Sequence, residues 1–217
     1  MATYECSLAG LIIGTAEKDA ILQRLIGICG NEAMIDLFEH EMIFSPTVQT
    51  PVGPARNDDV VLRLQSRITS EHDKSLKNRQ WYLCMQGHPE PQRGRSVTVR
   101  PHVRVQLSGD VFRFMRSLGY SYSFEIVRKG HLIAYEKLLR ITITQSYKLK
   151  TKVDVSSAVL VDQDQEMWVI EVSSIPVAQE QVNTMAEQLN KFKTLLNGVV
   201  DLEIVDTRAL QNRIHYT

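Results

Sequence analysis

At 217 residues, 43% hydrophobic and 23% charged, the chain is long enough for one domain with a sizeable core, and nothing in it requires two. Lysine plus arginine equals aspartate plus glutamate, 25 each, so the overall charge points neither to nucleic acid nor to a partner of one sign. The three cysteines, Cys6, Cys29 and Cys84, are far apart and form no Cys-x-x-Cys, which excludes a disulfide framework or zinc pattern and suits small buried hydrophobes in a reducing compartment.

The opening residues, MATYECSLAG, have no basic segment followed by a long apolar core, and no later run approaches the ~20 apolar residues of a membrane span. A soluble intracellular protein is therefore expected. Residues 3–13 read as a strand. Thr15 is placed as an N-cap, with Glu17 and Asp19 in the first turn and Gly27 and Gly30 near the end, predicting a helix over 16–29. Its apolar set, Ile21, Leu22, Leu25, Ile26, Ile28 and Cys29, covers nearly half the circumference, which is wider than packing on one sheet needs.

Residues 34–45 predict a strand with Phe38, His40, Met42 and Phe44 on one face and Glu39 and Glu41 on the other. A loop rich in Pro and Gly follows. Residues 60–68 alternate, with Val60, Leu62, Leu64 and Ile68 read as inward and Arg63, Gln65 and Arg67 as outward. Strands are expected over 80–86 and 95–107, the second with a bulge or edge position at Pro101. Ser108 and Asp110 cap a short helix over 111–118 that Gly119 stops. Residues 120–148 carry the longest β signal in the chain and predict a long hairpin turning at Lys129-Gly130, with Tyr120, Tyr122, Phe124 and Ile126 on one face. Residues 157–161 and 167–175 are expected to pair around a DQDQ turn. A helix over 178–197 has Val182, Met185, Leu189, Phe192, Leu195 and Leu196 at helical spacing, residues 199–205 read as a last strand, and Asp206 as the cap of a short tail helix. The fold class is α+β: a single-domain antiparallel multi-strand β-barrel over residues 1–217 with about three helices and variable loops at about 45–80.

No phosphate loop, nucleophile elbow or His-Glu-x-x-His motif is present. Tunnel-shaped barrels can hydrolyse triphosphates with a divalent metal on Glu-x-Glu pairs, because period 2 puts both carboxylates on one face. Here Glu5 is followed by Ser7 and Glu171 by Ser173, one carboxylate where that chemistry takes two. Glu39 and Glu41 have the spacing but are read as facing a neighbourhood poor in bases. Arg93, Arg95, Arg100 and Arg104, with Arg113 and Arg116 behind them, could line a bore or bind phosphate, and are read as a solvated strand face. Neither a cofactor nor a metal site is expected.

LFEHEMIF at 37–44, WYLCMQGHPEPQ at 81–92, FMRSLGYSYSFEIVRKGHL at 114–132, KLLRITITQSYKL, AEQLNKF and VVDLEIVDTRAL occur in this order. Together they resemble the family of subunit eighteen of Mediator, the coactivator of RNA polymerase II. The resemblance implies a nuclear, non-catalytic head-module subunit, a barrel similar to the triphosphate-tunnel enzymes, with a metal-dependent triphosphatase or polyphosphate-binding tunnel protein as the alternative. It implies pairing with a related barrel, Mediator subunit 20, capture of the C-terminal helix of Mediator subunit 8, and access to RNA polymerase II through the assembled head, with no membrane and no direct nucleic-acid contact. Partner contact is expected at Arg24 and Ile28 on the first helix, or at Val182, Met185, Leu189 and Phe192 on the last.

Overall fold

The computed structural model describes residues 3–47, 49–50, 53–54, 60–91, 94–162 and 166–205. In chain order the main elements are β1 (Tyr4–Ile13), α1 (Thr15–Cys29), β2 (Met34–Pro46), β3 (Leu62–Arg67), β4 (Trp81–Gln86), β5 (Thr98–Leu107), α2 (Val111–Ser117), β6 (Tyr120–Tyr135), β7 (Leu139–Leu149), β8 (Ala158–Leu160), β9 (Met167–Ser174) and α3 (Val182–Leu195). Neighbouring strands run β7-β9-β1-β5-β4-β3-β2-β6, and β6 pairs back onto β7, so eight antiparallel strands close a barrel and leave no continuous sheet edge.

Each strand alternates between a polar and an apolar face, and closure puts the polar face inside. Glu5, Leu37, Gln65, His102, Arg128, Arg140, Thr142, Thr144, Glu171 and Ser173 line the bore. The apolar faces point outward and must be covered. Cys6, Leu8, Ile12, Val99, Ile141, Ile143, Ile170 and Val172 are covered by Ile21, Leu22 and Leu25 of α1 and by Val182, Met185, Leu189 and Phe192 of α3, forming the main core. Met42, Phe44, Leu62, Leu64 and Trp81 pack instead with Val111 and Met115 of α2. Removing such a side chain from water contributes roughly 1.5–3 kcal/mol, so the helices stabilise the barrel from outside. The expectation that Leu62 and Leu64 point inward while Arg63 and Gln65 point to solvent is thus inverted, whereas Arg67, at the end of β3, is exposed as expected.

The helices start and stop for local reasons. Thr15 is not the N-cap of α1; Gly14, at φ 83°, takes that place, and the Thr15 hydroxyl donates to Glu166 at 2.7 Å. Gly30, at φ 87°, ends the helix and donates its N–H to the Ile26 carbonyl at 2.8 Å. Gly27 lies inside the helix with nothing within 4 Å of an added Cβ. Gly27→Ala is therefore expected to stabilise the fold by about 0.5–1 kcal/mol, raising the thermal midpoint by about 1–4 °C in a circular-dichroism melt. A lower midpoint would contradict that. In α2 the Asp110 carboxylate accepts the Arg113 N–H at 2.9 Å, the predicted cap. A 3₁₀ turn at Gln179–Gln181 precedes α3, which begins later than expected.

Four expectations about strands are corrected. β6 runs unbroken through Lys129-Gly130, pairing with β2 on one side and β7 on the other, and the turn lies at Glu136 and Lys137, at φ 49° and 59°. The alternation 120-122-124-126 is broken at Ser123, where the β2–β6 register shifts by one residue, so Tyr120 and Tyr122 stay outside while Arg128 points into the bore. β8 and β9 do not pair with each other; both run antiparallel to β7 on the same side, β8 opposite 147–149 and β9 opposite 139–144, and the expected turn at 163–165 lies outside the described residues. Residues 199–205 form no strand beyond one bridge, in which Ala9 and Glu203 exchange N–H···O bonds of 2.9 and 2.8 Å. Asp206 lies outside the described residues.

Candidate functional site

The bore is filled by an ion network anchored on neighbouring strands. Period 2 places Glu39 and Glu41 of β2 side by side inside the barrel, and the β2–β3 and β2–β6 registers put Arg63, Gln65 and Arg128 next to them. Glu41 accepts from Arg63 Nη1 at 2.5 Å, Gln65 Nε2 at 3.0 Å and Arg128 Nη2 at 2.9 Å; Glu39 accepts from Arg128 Nη2 at 2.7 Å and lies 3.9 Å from Arg140. The expected base-poor neighbourhood of this pair is therefore wrong. On β1, Glu5 lies 2.9 Å from His102 Nδ1 and 3.9 Å from Arg100 Nε. Arg100 is buried and so does not belong to a solvated face, whereas exposed Arg104 does, its guanidinium 3.7 Å over the Tyr82 ring. Arg95 pairs with Glu90, and Arg93 lies outside the described residues.

The electrostatics follow from this pairing. Burial pushes the Glu41 carboxyl up, but the charges of Arg128 and Arg63 outweigh it and hold the group below its ordinary value. Glu5 is likewise raised by burial and brought net down by His102 and Arg100. Glu171 goes the other way: burial, then the charge of Glu5, raise it despite Arg128, Arg100 and Arg140. Carboxyls with depressed pKa values add stability above the unfolded value and lose it as pH falls through the folded one, so Glu5 and Glu41 favour acid unfolding below about pH 4.5. A raised carboxyl favours folding only while protonated, and that contribution is lost as pH rises through its folded pKa. Glu171→Gln should therefore raise the thermal midpoint at neutral pH, with the gain over the parent chain shrinking as pH is lowered towards about 4. A variant that melts at or below the parent at pH 8 would refute this reading of Glu171.

A second feature lies on the outer wall. Met42 and Phe44 of β2, Leu76, Phe112 and Arg116 of α2, Tyr120 and Tyr122 of β6, and Lys152 and Val153 border an apolar groove of about 590 Å³. Phe112 packs edge-on against Trp81 at 5.7 Å, Tyr122 against Phe44 at 6.2 Å, and the Lys152 ammonium sits 3.8 Å from the Tyr122 ring centre. Burial, with Glu125 nearby, pushes the Tyr122 phenol up to about 12. Arg116 and Lys152 are the charged residues among those lining the groove.

The residues expected to meet a partner are placed unequally. Val182, Met185, Leu189 and Phe192 are buried against the chain's own barrel, at 7% exposure or less, because the broad face of α3 covers the outside of β1 and β9. Ile28 is half-buried against the same core, and exposed Arg24 donates from Nε to the Leu195 carbonyl at 3.1 Å, tying α1 to the end of α3. The groove on the opposite flank was missed. Its residues come from five separate segments, and the one local signal was the aromatic Tyr120 and Tyr122 pair.

The Med18 protein family model matches residues 4–213. The chain is similar to Mediator of RNA polymerase II transcription subunit 18 of Yarrowia lipolytica, 25% identical over 228 residues, 93% of this chain and 96% of that protein. Its Schizosaccharomyces pombe counterpart is 29% identical over 180 residues, 78% and 84% of the two chains. Among solved structures, a chain of the Schizosaccharomyces pombe Mediator head module superposes with a TM-score of 0.76 at 24% identity, covering 93% of this chain and 98% of that one. The RNA triphosphatase domain of a mimivirus mRNA capping enzyme superposes with a TM-score of 0.54 at 11% identity, covering 89% and 88%, a likeness of fold alone. With one family model spanning every element from β1 to α3, the chain belongs to the Med18 family.

Proposed function

We propose that the chain is a structural interaction subunit of the Mediator head module, acting in the nucleus in RNA polymerase II transcription and without catalytic activity of its own. The family match over residues 4–213 carries the reading. The geometry supports it, since Glu5, Glu39 and Glu41 are bonded to the chain's own arginines and histidine, whereas a tunnel triphosphatase presents such carboxylates to a metal. The partners are a related barrel, Mediator subunit 20, and the C-terminal helix of Mediator subunit 8.

Docking takes place on the outside of the barrel. The groove between Phe44, Phe112, Tyr120 and Tyr122 suits an inserted apolar side chain, and Arg24 and Ile28 on α1 form the competing surface. Affinity purification from nuclear extract with mass spectrometry is the test: Mediator head subunits should co-purify, and Lys152→Glu with the exposed Arg116→Glu or, alternatively, Arg24→Glu should reduce their recovery while leaving the melt largely intact. A phosphate-release assay with triphosphate and Mg²⁺ or Mn²⁺ should give no turnover. Metal-dependent release lost in Glu5→Gln or Glu171→Gln would overturn the reading.

A further inference from the structure

The bore holds guanidinium nitrogens that the barrel's own acceptors leave without a hydrogen bond. Arg63, Arg100, Arg128 and Arg140 face Glu5, Glu39, Glu41 and Glu171, and Arg104 joins them with its guanidinium on the Tyr82 ring. Exposed Arg67 follows on the same face of β3, opposite Glu39, at the edge of this cluster. Burial and the charge of Glu5 raise the pKa of Glu171. Arg128 places one nitrogen, Nη2, on both Glu39 and Glu41, while its buried Nε has no hydrogen-bond partner; the buried Nε of Arg140 has none either. Guanidinium nitrogens buried without an acceptor are costly, and they favour a ligand with several acceptor oxygens.

The cavity among them measures about 50 Å³ and is lined by Arg104, Arg128, Arg140, Thr142, Thr144 and His102, besides Glu5 and Glu171. One water needs about 10–15 Å³, so the space matches the four oxygens of one tetrahedral oxyanion and excludes a triphosphate chain. Glu5 is turned to His102 at 2.9 Å. We propose that the bore holds a single tetrahedral oxyanion between Arg104, Arg128 and Arg140, either inorganic phosphate or the phosphate group of a phosphoserine on a partner. This holds whichever partners dock on the outer wall.

Inorganic phosphate titrated into the full chain, with ionic strength held constant by sodium chloride, should raise the thermal midpoint saturably and give a calorimetric binding isotherm. Arg104→Gln, at an exposed position, should weaken the affinity at least tenfold. Arg140→Lys keeps the charge but loses the fork geometry, and should weaken it as well. A phosphoserine peptide that binds more tightly than phosphate, where its serine counterpart does not bind, assigns the anion to a partner; binding no tighter assigns it to free phosphate. Phosphate and chloride acting alike, or binding unchanged in both variants, would overturn the proposal.

Discussion

Gly130→Ala is expected to cost about 4 kcal/mol or more, a fall of about 8–16 °C in thermal midpoint at roughly 2–4 °C per kcal/mol for a chain of this size. The reason is backbone. A Cβ at Gly130 would stand 1.9 Å from the Ile143 carbonyl oxygen and 2.9 Å from the Thr144 Cα, with φ at 155°. Gly130 is held from both sides, opposite Leu37 of β2 and Thr144 of β7, so no flexible side chain can yield; a strand of the closing pair has to move. Gly87→Ala is the matching control, since its Cβ would meet only the Pro101 ring at 3.0 Å. A melt of Gly130→Ala within about 2 °C of the parent, less than the shift of 1 kcal/mol, would show that β6 and β7 can separate there without cost.

His40→Ala should destabilise by about 3–5 kcal/mol, because it strands two buried charges. The imidazole is fully buried; Nδ1 accepts from Arg79 Nη1 at 2.6 Å and Nε2 donates to Glu125 at 2.8 Å. Arg79 also donates to the Asp73 and Lys74 carbonyls at 2.6 and 2.7 Å and lies 5.6 Å from the Trp81 ring, and Glu125 accepts the Val153 N–H at 2.7 Å. One histidine thus joins β2, β6, the turn before β4 and the segment bearing Lys152 and Val153 beside the outer groove. In a double-mutant cycle, His40→Ala and Glu125→Ala should couple by at least about 1 kcal/mol, within the range for residues in one network. Additive effects would mean that the two side chains act separately.

Much of the site's residue inventory was readable in advance, but not its orientation. The spacing of Glu39 and Glu41, the even run of Arg100 and Arg104 and the alternation of Arg63 and Gln65 were all in the sequence. An antiparallel strand with one apolar and one polar face looks the same whether the apolar face fills a barrel or carries helices on its outside. The arginines were therefore read as solvated and the leucines as interior. The His40 network was invisible for a related reason: Arg79 and Glu125 lie 39 and 85 residues away in the chain, and only folding brings them to the ring.

The sequence by itself determined most of the strands, the three helices, most of their ends, and the family, because periodicity, caps and ordered motifs are local properties of the chain. Tertiary structure decided the rest. Closure of β6 onto β7 turned Lys129-Gly130 from an expected turn into the middle of a 16-residue strand. The packing of α1 and α3 on the outer wall buried Val182, Met185, Leu189 and Phe192, which local amphipathicity had offered to a partner. The bore became an arginine-rich interior because a closed sheet has only two faces, and the helices had taken the apolar one.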